Sequence, residues 1–262
     1  MMRIFRSETS WSGPRRGPQG IRGICSTAAA LAALAALAGF APLTSLGGSG
    51  DHRQSARYTL TQHQPGRSTG ERFVVDYVNP GDPTGKPPAV RRVVTMLPLK
   101  SRYDTSVPGL CTASDAELIL RGAAACPGDS RIGGGLVTVD TGFPGPGRFV
   151  KADVEFFNNT DEFIYLNTVR DSGARTVIRA ELNGRKRITD AGQLPGTPPD
   201  GGAIDTVDVR VAGVSTVRDG KRRNYITTPP HCPPRGFWIT ATRFVYADGA
   251  SQTVKSRVRC ER

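Results

Sequence analysis

The chain has 262 residues, 37% of them hydrophobic and 22% charged, with 31 Gly and 20 Pro. That balance is too apolar for wholesale disorder and too rich in turn formers for an all-helical protein, so it points to a turn-rich all-β fold. The formal net charge of +12 directs attention to anionic partners and says nothing about fold.

At the N-terminus, Arg15, Arg16 and Arg22 precede an Ala/Leu run from Ala28 to Leu37, which ends in Gly39, Phe40 and Ala41. A basic region, an apolar stretch and small residues at positions −3 and −1 are the parts of a secretory signal, so residues 1–41 read as a signal peptide cleaved after Ala41. The alternative is an uncleaved membrane anchor, but a spanning helix wants about 20 strongly apolar residues and this run is short and mostly alanine. Cys25 lies inside the signal. The exported remainder keeps 30 basic and 22 acidic groups, 30 minus 22 giving +8, and four cysteines. An even cysteine number in an oxidising compartment favours two disulfides.

Residues 42–56 are Gly, Ser and charge without pattern and read as a flexible linker to one domain, 57–262. From there, runs of β-branched and aromatic residues recur between turn signals: ARYTLTQH, RFVVDYV and VRRVVTML, with PGRSTG and NPGDPTGKPP as breakers. The stretch Cys111 to Gly135 interrupts this series. Ser114 followed by Glu117 is a capping-box pattern, Ala116, Leu118, Ile119 and Leu120 supply an apolar face, and Gly122 is placed to end the helix, which predicts one short helix over 114–122. Helix from Ser114 to Arg121 advances about 12 Å and the return from Ala123 spans at most about 13 Å, so a Cys111–Cys126 bridge is feasible but tight. Ser130 to Gly135, SRIGGG, lacks the Lys and Ser/Thr of a phosphate loop and reads as a turn into the strand LVTV.

Strand runs then continue as RFVKADVEFF, in which Phe149, Lys151, Asp153 and Glu155 interleave with Val150, Ala152, Val154 and Phe156 as in a half-buried antiparallel strand, then EFIYLNTV and RTVIRAEL. Asn183-Gly184 marks a hairpin turn, LPGTPPDGG is a connection, and AIDTVDVRVAG is a further strand. At the C-terminus FWITATRFVY leads through Ala247-Asp248-Gly249, a type I′ turn signal, into SQTVKSRVRC. Val254, Ser256, Val258 and Cys260 share one face of the returning strand; Thr253, Lys255, Arg257 and Arg259 share the other. An inward Cys260 then meets Cys232 across the open end of the hairpin. The expected disulfides are Cys111–Cys126 and Cys232–Cys260, out of three pairings. About ten short strands and one helix insert make a single antiparallel β-sandwich the economical architecture; two small sandwiches split near Pro144 to Gly147 are the alternative.

Leu97, Pro98, Tyr103 and Asp104 in LP-x-x-x-x-YD, PGLCTASDAELILRGAAACP, SRIGGG and PPHCPPRGFWITATRFVYADGASQTV together resemble a family of exported β-rich proteins from high-GC actinobacteria, over about Pro88 to Cys260. The resemblance implies export and brings no activity or binding residues with it.

Catalytic constellations are weak. His52, His63 and His231 stand outside any nucleophile or metal motif, and His231 draws notice only by adjoining Cys232. Asp161-Glu162, or Asp76 with a distant acid, would suit glycosidic cleavage only at the right separation. Trp238, Phe244 and Tyr246 share a strand face, as a sugar platform or as core. Asp205 and Asp208 match no calcium loop. No catalytic residue, metal site or cofactor is assigned. Arg185-Lys186-Arg187, Lys221-Arg222-Arg223 and the stripe Lys255, Arg257, Arg259 would form an anionic-ligand patch if they converge, without the aromatic interleaving of nucleic-acid binding. The expected function is a non-enzymatic exported protein of the cell envelope that binds an anionic cell-wall polymer, membrane surface or glycan; the alternative is an extracellular, carbohydrate-active hydrolase. Mass spectrometry of the exported protein checks the first step: a chain beginning at Pro42 is expected, and retention of residues 1–41 would mean an anchor.

Overall fold

The computed structural model describes residues 53–79, 81–82 and 85–262. The expected signal peptide, the linker as far as residue 52 and His52 lie outside the described residues. Strands run in the order β1 (Gln54–Leu60), β2 (Glu71–Tyr77), β3 (Val90–Met96), β4 (Arg102–Tyr103), β5 (Arg131–Asp140), β6 (Phe149–Asn159), β7 (Glu162–Val169), β8 (Arg175–Asn183) and β9 (Lys186–Asp190). They continue as β10 (Ala203–Val211), β11 (Ser215–Arg218), β12 (Lys221–Asn224), β13 (Ile226–Thr227), β14 (Phe237–Tyr246) and β15 (Ser251–Arg259). One helix, α1 (Asp115–Arg121), lies between β4 and β5.

The all-β, antiparallel expectation holds, and the sandwich gives way to a different closure. Eleven strands form one sheet in the order β1-β2-β10-β5-β6-β7-β8-β9-β3-β14-β15, and β1 lies alongside β15, so the sheet nearly closes into a barrel. Strands β5 and β6 pair directly across the Pro144 to Gly147 loop, which removes the two-sandwich alternative. The physical reason is that one-face alternation is the same whether a strand's apolar side meets a second sheet or its own barrel's interior. The strand also begins earlier than expected: Gln54 opens β1 with its side chain buried.

Where β1 and β15 meet, side chains do the work of a backbone ladder. The outward-facing amide of Tyr58 donates to Ser256 Oγ at 3.1 Å, Thr240 Oγ1 donates to the Tyr58 carbonyl at 2.6 Å, and Gln252 Oε1 accepts from the Arg53 and Gln54 amides at 3.0 and 3.2 Å. These bonds satisfy edge groups that would otherwise template pairing with another chain.

Strand ends alternate between two rims. One, the floor, gathers residues 61–70, 97–109, 160–161, 184–185 and 212–236; the other, the mouth, gathers 78–79, 85–89, 141–148, 170–174, 191–202 and 247–250. At the floor β4 pairs with β13 and carries Tyr103, with fully buried Tyr225 and Ile226 beside it, into the barrel end. The glycines of SRIGGG belong to β5 rather than to a turn. A Cβ on Gly133 would stand 2.1 Å from the Arg210 carbonyl oxygen, and one on Gly135 2.1 Å from that of Asp208; glycine lets β10 approach this closely beside the bulge between Arg131 and Gly133.

Helix α1 caps outside the barrel. The Ser114–Glu117 box forms, with the Ser114 amide donating to Glu117 Oε2 at 2.8 Å and the Glu117 amide to Ser114 Oγ at 3.3 Å. Donation to the carboxylate from the Ser114 amide, and next from the Ser114 hydroxyl at 2.8 Å, holds the Glu117 carboxyl below its ordinary pKa. Leu118 packs on Phe157, Ile164 and Leu166, the outward-facing residues of β6 and β7, together with Cys111. Ile119 and Leu120 were expected on the same apolar face but stand exposed, because α1 meets the barrel along a single line of contact. Both expected disulfides form, Cys111–Cys126 with Cα atoms 4.9 Å apart and Cys232–Cys260 at 5.5 Å. The C-terminal hairpin keeps its predicted faces, but its turn is not type I′: Gly249 alone has positive φ (83°) and its amide donates to the Tyr246 carbonyl, as in a type I turn with a glycine bulge.

Thr240→Val, which leaves the Tyr58 carbonyl buried without its donor, is expected to cost about 1–3 kcal/mol in urea unfolding, whereas Thr253→Val on the outer face of the same hairpin stays within about 0.5 kcal/mol.

Candidate functional site

The interior of this barrel is of two kinds. Around the floor it is filled: Tyr58, Leu97, Phe163, Tyr225, Ile226 and Phe244 are fully buried there and along the seam. Toward the mouth the inward side chains are shorter, with Val137, Val139, Val150, Ala152 and Val169 on the wall, and they surround a cavity of about 350 Å³. Val154, Phe156 and Val209 at its inner part are buried, while Val139, Val150, Val169, Ile178 and Ile204 are only half-buried. That gradient places the opening at the mouth. A concave, mainly apolar chamber of a few hundred Å³ with few polar groups is the usual form of a small-molecule site.

The polar groups sit at the inner end. Arg187, from β9, is buried within the barrel and pairs with Glu71 of β2. Glu71 also accepts from the Tyr58 hydroxyl and, at 3.0 Å, from the Tyr103 hydroxyl. The Arg187 guanidinium lies 4.7 Å from the Phe163 ring centroid, a cation–π contact in a desolvated setting. Burial works against the charge of Arg187, but Glu71 and the surrounding tyrosines outweigh it and hold the guanidinium protonated. For Tyr58 and Tyr103 burial, then the Glu71 charge, push the hydroxyls well above the ordinary range, so they act as neutral donors. Tyr165 and Thr189 bond to each other at 3.1 Å beside this group, and Thr95 faces Arg187 in register across β3 and β9. The arrangement can hold one hydrogen-bonding group at the end of an apolar chamber.

Arg187 therefore leaves the anionic patch in which the sequence placed it: its guanidinium points into the core. Its neighbours divide, Arg185 donating to the Leu97 carbonyl at 2.6 Å and Lys186 facing solvent. Lys221, Arg222 and Arg223 lie exposed on the separate β11–β12 hairpin, and Lys255, Arg257 and Arg259 on the outer face of β15. Trp238, Phe244 and Tyr246 point inward and are buried, which makes them core and not a sugar platform. His63 lies 3.6 Å from Glu261 at the floor, and His231 is exposed with its carbonyl accepting from Trp238 Nε1 at 3.0 Å; neither lines the cavity. Glu162 is held by Arg179 at 2.6 Å, Asp161 occupies a positive-φ turn, and Asp76 is exposed. Asp208 pairs with Arg72, whose hydrogen bond lowers its pKa, whereas burial and then the Asp140 charge raise that of Asp205. Among the described residues no group of three or more His, Cys, Asp or Glu could hold a metal.

Sequence reasoning missed Glu71 and Arg187 because each reads as an ordinary charge within or beside a strand. The one usable signal was the Asn183-Gly184 turn. It demands a returning strand, and β9 follows from Lys186, with Gly184 (φ 60°) opening the two-residue loop. Comparison of the chain with protein-family models, with curated proteins and with solved structures finds no match.

Glu71→Gln is expected to cost about 3–5 kcal/mol in chemical denaturation, since it leaves the buried Arg187 charge uncompensated, and Glu71→Gln/Arg187→Met is expected to recover much of that loss. A loss in the double variant equal to the sum of the Glu71→Gln and Arg187→Met losses would show that the pair is not coupled.

Proposed function

We propose that this protein is an exported β-barrel that binds and carries or sequesters a small lipophilic molecule in its lumen. The observation that carries the reading is the 350 Å³ apolar cavity, open at one rim and closed at the other. An apolar cavity of about 150 Å³ accepts benzene, so by simple scaling this chamber suits a guest of roughly 14 non-hydrogen atoms. Export rests on the N-terminal signal and fits the two disulfides. Residence at the envelope, expected from the sequence, remains part of the proposal: the exposed cations Lys221, Arg222, Arg223, Lys255, Arg257 and Arg259 would draw the barrel toward an anionic polymer or membrane surface, in a salt-dependent way. The hydrolase alternative has less behind it, since the residues lining the chamber include no pair of carboxylates for glycosidic cleavage.

The test uses N-phenyl-1-naphthylamine, a dye that fluoresces in apolar surroundings. Saturable enhancement with one dye per chain is expected, and Ala152→Phe, which fills the chamber from its wall, should weaken binding at least tenfold with an unchanged circular dichroism spectrum. No saturable binding by the folded protein would reject the reading.

A further inference from the structure

The cavity carries more information than its size. Several buried side-chain atoms in the described chain lack a hydrogen-bond partner, but only two of the residues concerned, Thr95 through Oγ1 and Arg187 through Nε, also line the cavity. Both residues are 3% exposed. They are register partners on adjacent strands, and directly opposed residues of an antiparallel pair carry Cβ atoms about 4.5–5.5 Å apart. A buried hydroxyl or N–H left unpaired is costly; both atoms lie without solvent contact just beneath the chamber's lining, so a guest oxygen at the inner end, with a small turn of either side chain, would meet two donors that lack an acceptor.

Which oxygen follows from charge. The guanidinium of Arg187 already has Glu71 as its counter-ion, and Tyr58 and Tyr103 donate to that same carboxylate. The local sum is neutral, so a carboxylate entering this end would be a second anion with no cation to match it and would lose its hydration. A neutral acceptor loses much less and gains both donors. The geometry points to a guest with a neutral oxygen function, a ketone, aldehyde, ester or alcohol, at one end of a hydrocarbon body. The oxygen accepts from Thr95 Oγ1 and Arg187 Nε, and the body lies along Val137, Val154, Ile178 and Val207 toward the mouth. This specificity rests on the lumen-binding reading above. Thr95 and Arg187 are its specificity-determining residues.

The experiment displaces N-phenyl-1-naphthylamine from the mature, disulfide-bonded protein with 2-undecanone, dodecane and decanoate, which are of nearly equal length. The readout is the ratio of ketone to alkane affinity, compared between wild type and Thr95→Val, because the ratio between proteins cancels the differing water solubilities. Thr95→Val keeps the shape of the wall and removes the hydroxyl. It is expected to lower the ratio about 3- to 10-fold, the worth of one hydrogen bond, with dodecane affinity unchanged or improved, and decanoate should bind at least tenfold more weakly than the ketone. Arg187→Lys, which keeps a cation beside Glu71 and removes Nε–H, should lower the same ratio and serves if Thr95→Val does not fold. An unchanged ratio in folded variants, as when water alone satisfies the two groups, would overturn the oxygen anchor and leave lumen binding intact. Preference for decanoate would overturn the neutral assignment. Failure of the dye itself to bind would remove the lumen reading together with the anchor.

Discussion

Closure of the sheet is the constraint from which the other features follow. Eight strands make a barrel whose interior side chains just fill it, and diameter grows roughly in proportion to strand number. Eleven strands therefore enclose more space than their own inward side chains occupy. At the floor the surplus is taken up by Tyr103 of β4, by Tyr225 and by Ile226 of β13, together with the Glu71–Arg187 pair that β2 and β9 turn inward. At the mouth Leu194 and Pro195 of the 191–202 loop reach the lining without filling the space, and the surplus remains as the chamber. The closure itself depends on small polar side chains, Thr240, Gln252 and Ser256, reaching the backbone of β1. Their buried or half-buried positions in otherwise apolar faces of β14 and β15 are explained by that role.

Placing an ion pair inside an apolar barrel is costly in desolvation and is tolerated only when the remaining hydrogen-bonding capacity is met. Glu71 meets this condition with two tyrosine hydroxyls besides the guanidinium. Arg187 meets it less completely: its Nε is buried without a partner, and the residue lines the inner end of the chamber. The same group thus stabilises the floor and defines the chemistry of the site, so that stability and recognition share residues here.

Much of this was legible in the sequence. The hairpin of β14 and β15, the alternation along β6, the capping box of α1 and both cysteine pairings followed from local patterns whose physics is local. Closure was not legible, because Val150, Ala152, Val154 and Phe156 would alternate in the same way in a sandwich. Arg187 was misread for a sharper reason: along β9 the inward positions are Arg187 and Thr189 and the outward ones Lys186, Ile188 and Asp190, so the inward face carries no apolar residue and the only apolar one points out. Reading Gly133 to Gly135 as a turn failed similarly, since in β5 the glycines serve close strand approach rather than chain reversal. The site itself arises where β2, β3 and β9 meet through long-range connections, and no short window contains it.

The two disulfides have a consequence for how the barrel moves. Cys232–Cys260 ties the base of the final hairpin beside the floor, and Cys111–Cys126 closes the loop that carries the helix, which non-covalent packing holds on the outside wall. Neither crosses the mouth, whose loops are joined to one another only by non-covalent contacts such as Lys86 with the Gly201 carbonyl. Covalent stiffness is therefore concentrated at the sealed end, and a molecule can enter or leave through the opposite rim without any bond having to break, in oxidising surroundings that keep the base locked.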